Sequence, residues 1–221
     1  MRNDRRGRPR LVVSHRPELT ARDEILDAAA ELFTTVGYAS TSTRRIAEAV
    51  GIRQASLYHY FTTKDDIIDA LLAGTVDESL RLAKELLGEA GPGAPRLHAL
   101  VVGDTSQLCG SRWNLGALYL LPELRAGRFG TFRRRRSALR ARYRKLSGAV
   151  VAESNGPPET DDLPFRLVES VINRRLDDGV CPPDHPWVIA ESALRLLGHT
   201  GDFAQLRRLT AERLQSSLPL N

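Results

Sequence analysis

Residues 43–64 carry side chains able to read and grip a polyanion, in the order that a pair of short helices would present on one surface. Arg53, Gln54 and Ser56 stand at the leading edge of a helix expected over 54–60. Arg and Gln can make bidentate hydrogen bonds to base edges, the contact that discriminates one base pair from another. Tyr58, His59 and Tyr60 follow without a break. Three consecutive rings with polar tips cannot all face a core on so short a helix, so some must reach outward, where phenol and imidazole can donate to phosphate oxygens. Lys64 opens the next helix. A lysine in a first turn opposes the helix dipole, and it becomes favourable when a phosphate uses both the ammonium and the free backbone amides.

The elements that would hold these groups are legible in the apolar and small residues between them. A helix over 43–50 places Ala47 four positions before Gly51, with Ile46, Ile52 and Leu57 around them. Two short helices crossing steeply need a small side chain at the contact, a glycine in the turn and apolar residues pinning the second helix to the first. Such a pair projects its second helix outward, where it can enter a major groove about 12 Å wide.

Upstream, Ile25, Ala29, Leu32, Phe33 and Val36 keep helical spacing behind a capping box of Thr20 and Asp23, and Gly37 supplies the stop. A fourth helix starts near Lys64, capped by Thr62 or Thr63, and runs until Gly88 and the breakers that follow it. Further helices are expected over 96–106, 111–121, 129–153, 164–178, 187–198 and 203–214. No segment alternates with period two for long enough to suggest a strand. The expected fold class is all-α: an amino-terminal three-helix, helix-turn-helix DNA-binding domain and a larger helical domain for ligand binding and dimerisation. The expected division is a basic arm over 1–19, the DNA-binding domain with the start of the linking helix over 20–80, and the larger domain over 81–221.

The run Thr43-Arg44-Arg45-Ile46-Ala47, then Ser56-Leu57-Tyr58-His59-Tyr60-Phe61 followed by Lys64, resembles the TetR family of regulators from about Thr20 to Leu72. The resemblance implies a homodimer that binds double-stranded DNA through its first three helices. It also implies a small-molecule effector in a variable domain, and a four-helix interface from two late helices of each subunit. By the same resemblance Thr43, Arg44, Gln54, Ser56, Tyr58, His59, Tyr60 and Lys64 are DNA contacts, with Ala55 a departure too small to reach far. A repressor released from a palindromic operator is the function it favours, the alternative being an architectural DNA-binding protein of low sequence preference.

The arm contains Arg6-Gly7-Arg8-Pro9, similar to the core of an AT-hook, so Arg6 and Arg8 are expected in a narrow minor groove. In the larger domain Trp113, Asn114, Tyr119, Glu123, Phe165, Glu169 and Asn173 mix aromatic bulk with isolated polar groups, as an effector pocket between helices would. The arginines of 133–136, with Arg140, Arg142 and Arg144, share a helix with regularly spaced apolar residues and are expected on a wet face paired with acids, the alternative being contact with an anionic effector. The dimer interface is expected on the two helices over 164–178 and 187–198, through Val168, Val171, Ile172, Ala190, Leu194 and Leu197.

Several classes are disfavoured. The net charge of +5 suits a polyanion partner but does not require one. The two cysteines, Cys109 and Cys181, are far apart in sequence and without neighbours at ligand spacing, so neither a disulfide framework nor a metal site is expected, and a cytoplasmic location fits. No nucleophile elbow, phosphate loop or cofactor motif suggests an enzyme. No apolar run approaches the length needed to span a bilayer.

Overall fold

The computed structural model of the chain describes residues 20–120 and 129–216. They form α1 (Ala21–Thr35), α2 (Thr43–Val50), α3 (Gln54–Leu57), α4 (Lys64–Gly88), α5 (Gly93–Gly110), α6 (Leu115–Tyr119), α7 (Gly130–Ser154), α8 (Leu163–Asp177), α9 (His185–Leu196) and α10 (Phe203–Ser216), with one 3-10 turn at Pro158–Thr160. Among the described residues there is no strand, and the all-helical expectation holds. Arg6, Arg8 and Glu123 lie outside the described residues.

α5 is the axis of the larger bundle and packs on α4, α7, α8, α9 and α10. Its run from Leu97 to Val102 is buried on every side, including His98, which is the pattern of a helix with no solvent face. It begins earlier than its spacing suggests. Glu153 of α7 accepts from the Gly93 amide at 2.8 and 2.9 Å, supplying one of the amide partners that a helix start lacks. Pro95 then sits in the first turn, where its missing N–H costs nothing.

Two elements are shorter than expected. α3 ends at Leu57 because the chain tightens there: the Tyr60 amide donates to the Leu57 carbonyl at 2.9 Å and the His59 amide to Ser56 at 3.2 Å. That winding buries Phe61, with the Arg22 guanidinium 5.1 Å from its ring. α6 keeps only five residues. The preceding segment is a connector, in which the Asn114 side chain donates to the Ile172 carbonyl of α8 at 3.0 Å.

α4 links the amino-terminal helices to the bundle and packs most extensively on α7. The Asp69 carboxylate accepts from the Thr131 and Phe132 amides at 3.3 and 2.9 Å, capping α7 from α4. Asp77 takes both of its oxygens to Arg135, and Arg142 donates to the Leu80 carbonyl at 2.7 Å. Most of the basic run on α7 is therefore spent on neighbours: Arg140 on Asp162 and Arg144 on Asp161 form a paired wet face, whereas Arg136, expected on it, is turned inward onto Glu169 and largely buried.

The apolar residues expected at a dimer interface are a correction. Val168, Val171, Ala190, Leu194 and Leu197 are buried in the chain's own core and Ile172 is half-buried. Both helices are amphipathic, and this stripe is needed against α5. The apolar side chains that α8 and α9 leave outward are Leu163, Leu176, Val188 and Leu196.

Candidate nucleic-acid interface and effector cavity

Local sequence builds the reading surface. Ser42 caps α2, its hydroxyl accepting from the Arg45 amide at 3.2 Å. Ile46 and Ala47 are buried, and Gly51 takes φ 73°, a left-handed turn that strains any residue with a Cβ. The Ile52 amide returns to the Ala47 carbonyl at 3.0 Å, and Leu57, fully buried, pins α3.

That packing leaves Thr43, Gln54 and Tyr58 together on the outside. The Gln54 side-chain amide donates to Thr43 Oγ1 at 2.9 Å and to the Tyr58 hydroxyl at 3.2 Å, and the two oxygens are 3.1 Å apart. Side chains that hold one another in place lose less rotamer freedom when a ligand arrives. Arg53, His59 and Tyr60 are exposed beside them, and Ser56 is half-buried. Arg44 pairs with Glu48 at 2.8 Å on the surface, a contact of the kind that contributes little and exchanges readily.

Lys64 departs from its expected place. Its ammonium donates to the Tyr38 and Thr41 carbonyls at 2.8 and 2.9 Å and lies 4.1 Å from the centre of the Tyr38 ring. Burial lowers its pKa. The Tyr38 carbonyl takes the ammonium beside the Thr41 amide at 3.2 Å, and the Thr41 carbonyl, outside any helix, takes it as a donor, while Asp65 and Asp66 in the same first turn offset the dipole. Thr63 and Asp66 complete a reciprocal capping box at 3.1 and 2.8 Å. The lysine therefore fastens the α1–α2 loop to α4.

A second candidate site lies inside the bundle. A cavity of about 40 Å³ between α4, α5, α6, α7 and α8 is lined by Thr75, Asp104, Tyr119, Arg136, Phe165 and Glu169 among others. Arg136 binds Glu169 with two hydrogen bonds of 2.7 and 2.6 Å and lies 5.0 and 5.1 Å from the ring centres of Tyr119 and Phe165. Asp104 accepts from Ser79 and from Tyr143, each at 2.8 Å. Burial pushes its carboxyl up to about 6, against those two hydrogen bonds. An open groove outside the cavity includes Tyr119, Glu169 and Asn173.

The family described as bacterial regulatory proteins, tetR family, matches residues 25–71, from the second turn of α1 to the first turns of α4. The crystal structure of Mycobacterium smegmatis AmtR is 72% identical, covering 91% of this chain and 98% of that one with a TM-score of 0.86. The chain belongs to the TetR family.

Other relatives of this TetR-family chain match it at lower identity. The transcriptional repressor KstR2 of Rhodococcus jostii is 39% identical over 80 residues, 36% of this chain and 39% of that protein, so the match spans about two fifths of that relative. A regulator FadR from Bacillus subtilis, solved with stearoyl-CoA, shares the fold at a TM-score of 0.62 and 20% identity, over 81% of this chain and 99% of that one.

Of the residues expected at an effector pocket, Tyr119, Phe165 and Glu169 line the cavity, Asn173 lines only the groove, and Trp113 and Asn114 line neither. The Trp113 ring sits under Arg112, 4.6 Å away, and Asn114 is held by α8. Asp104 was missed as a lining residue, and Arg136 lines the cavity although the wet face was the first expectation for its run. Asp104 had a signal: it is the lone acid in an apolar stretch of α5.

Proposed function

We propose that this TetR-family chain is a transcriptional repressor that binds a palindromic operator as a homodimer and is released by a small molecule. The observation that carries the proposal is the Thr43, Gln54 and Tyr58 cluster, joined by hydrogen bonds on the outside of a helix pair whose inner residues are buried. Gln54 and Arg53 read bases, while Thr43, Arg44, Ser56, Tyr58, His59 and Tyr60 contact the backbone or base edges. Residues 20–80 form the DNA-binding unit and 81–221 the regulatory one, with Arg6 and Arg8 of the arm adding a salt-dependent contribution to affinity.

A second copy covers the outward Leu163, Leu176, Val188 and Leu196 of α8 and α9, and sets two reading helices about 34 Å apart. The effector enters the cavity beside Asp104, Arg136 and Glu169. So small a space, lined mainly by apolar side chains such as Leu72, Val76, Leu139 and Val168, suits a compact and largely apolar molecule with a polar group for Asp104, Arg136 or Glu169. α4 carries the signal, since its start is tied to the α1–α2 loop by Lys64 and its second turn and middle to α7 by Asp69 and Asp77.

Footprinting on the DNA upstream of the chain's own gene and its neighbours tests the proposal. A bounded, palindromic protected site is expected. Uniform coating would favour an architectural protein instead.

A further inference from the structure

One ion pair separates the cavity from the groove outside it. Tyr119, Arg136, Glu169 and Ile172 line both spaces, so the Arg136–Glu169 pair stands in the wall between them. Two hydrogen bonds of 2.7 and 2.6 Å close it, and the guanidinium lies 5.0 and 5.1 Å from the ring centres of Tyr119 and Phe165. Both side chains are withdrawn from most of the solvent. With the pair closed about 40 Å³ remains inside, room for a few waters and for no organic molecule. An effector in this cavity must therefore open the pair and replace what one of its members loses.

The surrounding charges decide which member that is. Among the described residues the groove is lined by Arg133, Arg136 and Arg166 against Glu169 alone, a balance that draws anions. Glu169 also has a second cation at hand: Arg166, one turn before it on α8, stands 3.3 Å from its Oε2. Asp104, the other acid of the cavity, already accepts from Ser79 on one oxygen and from Tyr143 on the other, each at 2.8 Å, so a cation gains little there. The planar fork of Arg136, by contrast, suits any carboxylate that can offer two oxygens.

We propose that the effector is a compact organic carboxylate, which takes the Arg136 fork in place of Glu169 with its apolar body beside Tyr119 and Phe165. Glu169 turns to Arg166, and cavity and groove become one space. The exchange loosens α8 from α7, the helix that Asp69 and Asp77 tie to α4. This ligand class rests on the proposed effector cavity, but its binding is read without DNA.

Calorimetric titration of the full-length chain at fixed chloride with acetate, butyrate, benzoate and phenylacetate tests the site. At least one of them is expected to bind, and its neutral amide to bind at least about tenfold more weakly. Arg136→Lys keeps the charge, loses the fork and should weaken the carboxylate by about tenfold. Glu169→Gln removes the internal competitor and should tighten it at least about threefold, a gain that a merely structural pair would not give. The proposal is overturned by silence from all four carboxylates, by equal competition from sulfate, or by benzylamine binding more tightly than benzoate. Weaker carboxylate binding in a Glu169→Gln chain that keeps its helical circular dichroism would overturn it too. A carboxylate that binds and leaves operator occupancy unchanged would count against release through this cavity and leave the carboxylate site standing.

Discussion

The Tyr58 hydroxyl, just past the end of α3, lies 3.1 Å from Thr43 Oγ1 in the first turn of α2, and Gln54 donates to both. This contact joins the two helices of the turn on their outer side, where no core residue does so. Tyr58 remains 47% exposed, so its removal should not disturb folding. Tyr58→Ala is expected to weaken operator binding by about 1 kcal/mol or more, while Gln54→Ala costs about 1 to 3 kcal/mol and relaxes preference at one base position. Binding titrations against operators changed one pair at a time separate the two, and unchanged affinity in both variants would remove the surface from the interface.

Lys64 gives a different expectation. Its ammonium satisfies two carbonyls of the α1–α2 loop, so Lys64→Ala should cost about 1 to 2 kcal/mol of folding stability, discounted for partial exposure. Urea unfolding measures this. A stability equal to that of the parent would return the lysine to a role on DNA alone.

Asp104 makes stability depend on pH. Its carboxyl titrates near about 6 in the fold against the ordinary 3.8, so the folded state holds its proton longer than the unfolded chain does. The resulting stabilisation is fully present below about 3.8 and is lost as pH rises through about 6, an amount of roughly 3 kcal/mol from the size of the shift. His98 acts in the opposite sense: burial lowers it to about 4, so its contribution is present above 6.5 and is lost as pH falls through about 4. Asp104→Asn should therefore steepen the loss of stability between pH 6 and 4. An unaltered pH profile in that variant would contradict the assignment.

Gly156 follows the left-handed Asn155 that ends α7. A Cβ at Gly156 would meet the Leu197 carbonyl oxygen at 2.1 Å, and that atom is backbone and cannot swing away. Gly156→Ala is expected to destabilise by about 1 to 3 kcal/mol, read as a lower thermal midpoint. An unchanged midpoint would mean that the ends of α7 and α9 do not approach this closely.

What the sequence made legible was local. The stop at Gly51, the small Ala47 and the pinning Leu57 act within a few residues of each other, and α2 appears with the bounds that their spacing implies. The start of α4 near Lys64 was also legible, and the structure chooses Thr63 over Thr62 as its cap through the reciprocal bonds with Asp66. Lys64 was misplaced because its partners, the carbonyls of Tyr38 and Thr41, belong to a distant loop that no spacing rule connects to it. The same limit applied to α8 and α9, where amphipathicity marks two apolar stripes and only packing against α5 decides which one is buried.

The most direct measurement is the ratio of affinities for a protected operator and for a scrambled duplex of the same length, at one fixed salt concentration. A repressor that reads bases through Arg53 and Gln54 should prefer the operator by a thousandfold or more, on the order of 10³, and Gln54→Ala should reduce that ratio. Nearly equal affinities for the two duplexes, with no effect of Gln54→Ala, would contradict sequence reading by this surface.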